Sequence, residues 1–168
     1  DVLSHKFLVR LGTDTGATTT QERLSVDFLI NGTSLLASIV KIEGGHDDFM
    51  GCLVRSFPKQ NAQAVERLTC MASPDSESGR VLLYVCPECG DIGCGAYSAF
   101  VERAGGTYVW RDFAYENGYE NPRPISGVGP YTFEIKKYEV EVIVQVLSNN
   151  ALKSLVSLAG TGEAGPLA

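Results

Sequence analysis

Residues 86–95, CPECGDIGCG, place three cysteines within ten positions. Thiolate is the softest ligand a side chain offers and a strong nucleophile, so these residues can hold a metal or exchange disulfides. In Cys86-Pro87-Glu88-Cys89-Gly90 the proline stiffens the entry, and the glycine lets the backbone curl around an ion. If Cys86 ends one strand, Cys94 opens the next and Cys89 lies between, the three sulfurs meet at one point. A closed zinc site needs a fourth ligand, whereas an open one leaves that position to water. The chain has no second Cys-x-x-Cys, so the remaining candidates are His46, Cys52 and Cys70. Cys70 falls in a helical pattern among apolar neighbours, where a thiol acts as a small hydrophobe. A structural zinc ion on Cys86, Cys89 and Cys94, or no cofactor, is the expectation.

Disulfide chemistry fits less well. A redox Cys-x-x-Cys draws its low thiol pKa from a helix N-terminus, and Gly90, Asp91 and Gly93 resist starting a helix. The acidic Glu88 and Asp91 are expected to push the thiols upward. Elsewhere, His46, Asp47 and Asp48 in EGGHDD read as a solvated loop, since neighbours on one loop rarely converge. His5 has no evident partner. No nucleophile elbow, phosphate loop with lysine, or His-Glu-x-x-His occurs, and GTGEAG at 160–165 has no helix after it to receive a phosphate.

A second constellation is aromatic. In TYVWRDFAYENGYENP, alternation puts Tyr108, Trp110 and Asp112 on one strand face and Val109, Arg111 and Phe113 on the other. Trp110 and Phe113 are expected in the core. Tyr115, Glu116, Tyr119 and Glu120 follow on a loop, and aromatics rimmed by carboxylates suit a basic protein partner. Asp47 and Asp48 are candidates for the same surface.

These groups need a scaffold, and the pattern supplies one. RLSVDFLI (23–30) alternates as a strand and ends in the turn dipeptide Asn31-Gly32. Leu35, Leu36, Ile39 and Val40 predict a helix capped by Thr33 or Ser34. Residues 61–72 predict an amphipathic helix with Ala62, Val65, Leu68, Thr69 and Met71 inward. The strands RVLLYVC, CGAYSAFVER and TYVWRDFAYE form an antiparallel meander at about 80–115. A last helix from about Glu134 faces the core with Phe133, Ile135, Tyr138, Val142 and Leu147. The whole reads as one α+β domain over 1–157, an antiparallel sheet of about four to six strands with two or three helices mainly on one face, and a flexible tail at 158–168.

Net charge is −6, which repels a nucleic-acid backbone and suits a basic partner. No apolar run reaches membrane-spanning length. Five cysteines, three of them in one loop, do not form the framework of a secreted disulfide domain, so a cytoplasmic location is expected.

RVLLYVCPECGDIGCGAYSAFVER followed by VWRDFAYEN resembles a family of small bacterial proteins. These carry a Cys-Pro-x-Cys-Gly-Asp-x-Gly-Cys-Gly loop and then a Trp-x-Asp-Phe strand, and some bear the label oxidoreductase. The resemblance covers about residues 80–121. It implies that Cys86, Cys89, Cys94, Trp110 and Asp112 form a shared structural unit, and it carries over no catalytic residues. The leading functional expectation is a non-enzymatic, acidic protein-binding module: an immunity protein neutralising a basic toxin domain, most simply a nuclease. The alternative is a zinc-binding or thiol-active protein built on the cysteine loop.

Overall fold

Two antiparallel sheets carry the molecule, and the computed structural model describes residues 1–145. The boundary expected near 157 and the tail beyond it lie outside those residues, as does Leu147. In the first sheet, β1 (Leu3–Arg10) pairs along its whole length with β4 (Arg23–Ile30). A ribbon of β2 (Thr13–Asp14) and β3 (Thr19–Thr20) links them. Asn31, with φ of 51°, and Gly32 make the tight turn, so β5 (Thr33–Ser34) returns against Leu29 and Ile30 before the chain turns helical. Helix α1 (Leu35–Glu43) then starts where Ser34 Oγ accepts from the Ala37 amide at 3.0 Å. It stops at Gly44, whose left-handed φ of 77° lets its amide reach the Val40 carbonyl at 2.7 Å.

The larger sheet follows the order β10-β9-β8-β7-β6, with β11 also on β9. Its centre is the expected meander: β7 (Val81–Val85), β8 (Ala96–Ala104) and β9 (Thr107–Glu116). The short β10 (Arg123–Pro124) and β11 (Tyr131–Glu134) occupy opposite ends of the outer edge of β9. The segment begun by β6 (Met50–Gly51) seams the two sheets. Cys52 N donates to Leu83 O at 2.9 Å in one sheet, while Leu53 O accepts from Val26 N at 3.0 Å in the other. Only glycine fits at 51, because a Cβ there would lie 1.8 Å from the Val26 carbonyl oxygen.

Helix α2 (Pro58–Leu68) begins with proline, which needs no amide partner there, and buries Asn61, Ala64 and Leu68. This corrects the predicted face. Leu68 and the partly buried Val65 face inward as predicted, but Ala62 and Met71 are exposed, because the inward row runs Asn61, Ala64 and Leu68 and the helix ends before Thr69. Asn61 is inward because its amide pairs with both backbone groups of Val54 at 2.8 Å, standing in for a strand. Cys70 lies beyond the helix at φ of 57°, exposed, with Sγ 3.5 Å from Val101 O, so it is not the buried hydrophobe expected.

Helix α3 (135–145 as described) starts where the Glu134 carboxylate accepts from the Lys136 and Lys137 amides. It buries Tyr138 and Val142 as its spacing predicts. Trp110, on β9, donates to Tyr138 Oη at 3.0 Å and meets Phe28 of the other sheet edge-on at 5.1 Å. One hydrophobic core therefore draws on both sheets and all three helices, the α+β organisation the sequence predicts.

Candidate metal centre

The β7–β8 hairpin ends in the cysteine loop. Gly90, at φ of 67°, folds back so that its amide donates to the Cys86 carbonyl at 2.9 Å. Asp91 then caps a single 3₁₀ turn, Ile92–Cys94, by accepting from Gly93 N at 2.6 Å. This turn brings Cys94 back over Cys89. The ligand atoms of Cys86, Cys89 and Cys94 all lie within 4.8 Å of one another, and Cys89 Sγ and Cys94 Sγ are 3.3 Å apart. Tetrahedral zinc with Zn–S of about 2.3 Å sets its sulfurs about 3.8 Å apart, within the reach of this cluster. The donors fit the ion.

The thiols are not equivalent. Cys89 is displaced below its ordinary value, chiefly because the Asp91 amide donates to its sulfur at 3.4 Å, with help from the Cys94 thiol. Cys94 is pushed up to about 11 because it is the partner that must keep its proton beside Cys89. By charge alone, the carboxylates of Asp91 and Glu88 raise the thiols. The Asp91 carboxylate does push Cys89 up, but the amide of the same residue outweighs it. Glu88 is paired with Arg10 at 2.5 Å. No α-helix follows Cys89, as expected from Gly90 and Gly93.

Among the described residues no fourth His, Cys, Asp or Glu joins the cluster. Cys52 lies in the seam between the sheets, its thiol pushed up to about 12 by burial. His46 is stacked between Phe49 (4.4 Å) and Tyr115 (5.3 Å). That stack brings the 44–48 loop beside Tyr115, and Asp47 and Asp48 on it are exposed. His5 does have a partner, Glu141 Oε1 of α3 at 2.5 Å.

The expected partner-binding residues separate. Tyr119 is 82% exposed and Glu120 is exposed, while Tyr115 is half-buried against Gly95. Glu116 is buried, its carboxylate accepting from Ser78 Oγ at 2.9 Å, Ser98 Oγ at 2.5 Å and Ser76 Oγ. Its cover is the segment carrying Ser76 and Ser78, laid beside Ser98 on the face of the sheet opposite Trp110. A bulge opposite Ala99, with Asp112 at φ of 50°, moves Phe113 onto the face of Trp110 and turns Asp112 outward. Simple alternation misses this shift of one residue. Tyr119 adjoins the thiolate loop, since a methyl group on Gly93 would lie 3.0 Å from its hydroxyl.

Among the described residues no helix is long and apolar enough to cross a membrane. Compared with family models, with curated proteins and with solved structures, the chain finds no match in any of the three.

Proposed function

We propose that the protein is a metal-binding protein that holds zinc on Cys86, Cys89 and Cys94 and leaves the fourth position to a ligand from outside these residues. The observation that carries the reading is the convergence of three sulfurs on one loop. The loop is rigidly pinned: Gly90 to Cys86, Gly93 to Asp91, and Gly95 to Ile92 at 2.8 Å. Soft thiolates select zinc over magnesium or calcium. A bound ion would neutralise the thiolates and supply Lewis acidity, while the chain orients the sulfurs and the Asp91 amide stabilises the charge on Cys89.

The test is metal content after purification under reducing conditions, followed by cobalt titration. About one zinc per chain and a thiolate-to-cobalt absorption band are expected, with the band lost in Cys94→Ser. Substoichiometric zinc together with a cobalt spectrum lacking that band would sink the reading.

Protein binding is the second reading, and the exposure of Tyr119 beside Glu120 is what favours it. A basic toxin domain remains the partner this surface chemistry would suit, inside the cytoplasm, although the burial of Glu116 removes one of its carboxylates. A pull-down from the native host that captures no specific protein would count against it.

A further inference from the structure

A cavity of about 270 Å³ opens between α2 and the β6–β7 pair. Its floor is apolar and buried: Val54, Ala64, Val81 and Val85. One end is closed by the cysteine loop, through Pro87 to Gly90. Four charged side chains line it, and three of them are already neutralised. Arg67 pairs with Asp75 at 2.7 Å, and Glu88 pairs with Arg10.

Arg23 is different. Its Nε donates to the Pro87 carbonyl at 3.0 Å and its Nη1 to the Glu22 carbonyl at 3.2 Å. Two backbone carbonyls orient the guanidinium without cancelling its charge, and among the described residues no carboxylate pairs with it. We propose that this cavity binds a small aromatic carboxylic acid, its carboxylate on Arg23 and its ring against the apolar floor. An arginine with a free edge takes a carboxylate in a two-point contact. Phe57, whose ring centroid lies 5.7 Å from the guanidinium carbon, offers a flat wall at the mouth. A dianion such as phosphate is disfavoured, because Arg23 supplies a single positive charge and the floor beside it is apolar. The small volume sets the upper size at about one or two rings.

This inference goes beyond the metal reading and stands without it, since the cavity belongs to the fold. Because Cys89 and Gly90 are in its wall, occupancy also reaches the thiolate loop.

The experiment titrates 1-naphthoate and benzoate, each against its neutral carboxamide, into the full chain in chelator and again with zinc. Binding is followed by calorimetry and by amide shifts in NMR. We expect at least one acid to bind in both conditions, with its amide at least tenfold weaker. In Arg23→Gln the preference for acid over amide should vanish, while Arg23→Lys keeps part of it. The shifted amides should include Cys89 and Gly90. Equal binding of acid and amide, unchanged affinity in Arg23→Gln, or no binding by either acid at millimolar concentration would overturn the proposal. Should Arg23→Gln fail to fold, the wild-type acid-over-amide ratio and its fall with salt decide the matter alone. Loss of zinc binding would leave every one of these readouts intact, so the two proposals fail separately.

Discussion

Cys89 and Cys94 face each other at 3.3 Å, yet their thiols move in opposite directions, Cys89 down and Cys94 up to about 11. At neutral pH Cys94 therefore keeps its proton until a metal displaces it. Metal binding must then release at least that one proton throughout the range from pH 6 to 8, so zinc affinity should rise at least about tenfold per pH unit. Competition titrations with a chromophoric chelator at several pH values would read this slope, and a flat profile would remove Cys94 from the ligand set. Glu116 gives the second residue-scale expectation. Glu116→Lys places a cation among three serine hydroxyls and should lower stability by about 3 kcal/mol or prevent folding, measured by urea unfolding. Glu120→Lys, on an exposed position, should change stability by under about 0.5 kcal/mol. The cysteine spacing made the thiolate cluster legible in the sequence. The carboxylate roles were not, because Glu116 is held by serines 18 to 40 positions away and a bulge, which no periodicity announces, moves Asp112 off the face of Trp110.

Elements with a long, regular pattern were readable: β4, α1, the meander and the turn of Tyr138 and Val142 on α3 all lie where alternation or helical spacing puts them. The seam at 50–55 was not, because β6 is two residues long and the residues just after it bond to two different sheets. Nor was the inward face of α2, where Asn61 is buried by a hydrogen-bond pair that a hydrophobic pattern cannot register. Strand β4 shows the same limit. Asp27 is buried beside Phe28 because Tyr84 Oη and Ser34 Oγ both donate to it at 2.7 Å. The seam has a sharp consequence for substitution. Gly51→Ala would drive a methyl group into the Val26 carbonyl and should cost about 3 kcal/mol, seen as a lower urea midpoint with an unchanged slope. A neutral effect would mean that the sheets are not joined there.

Across the whole molecule, one core holds both sheets and the helices, while the thiolate loop sits outside it at the end of a hairpin. The fold should therefore persist without metal and gain from it by mass action alone. Zinc at a hundred times its dissociation constant adds about 2.7 kcal/mol. For a chain of this size that is a rise in Tm of about 5–10 °C, readable by calorimetry with and without chelator. Collapse of all secondary structure on chelation would contradict a metal site peripheral to the core.

The single tryptophan offers an optical handle. Trp110 is wholly buried, hydrogen-bonded to α3 through Tyr138 and edge-on to Phe28 in the opposite sheet. Its emission is therefore tuned by the docking of three elements at once, and none of them carries a thiolate of the cluster. Fluorescence and cobalt absorbance become independent channels in one cuvette: the first follows the joining of the sheets, the second the state of the hairpin tip. A denaturant titration recorded in both channels would show whether the tip loosens before the sheets part.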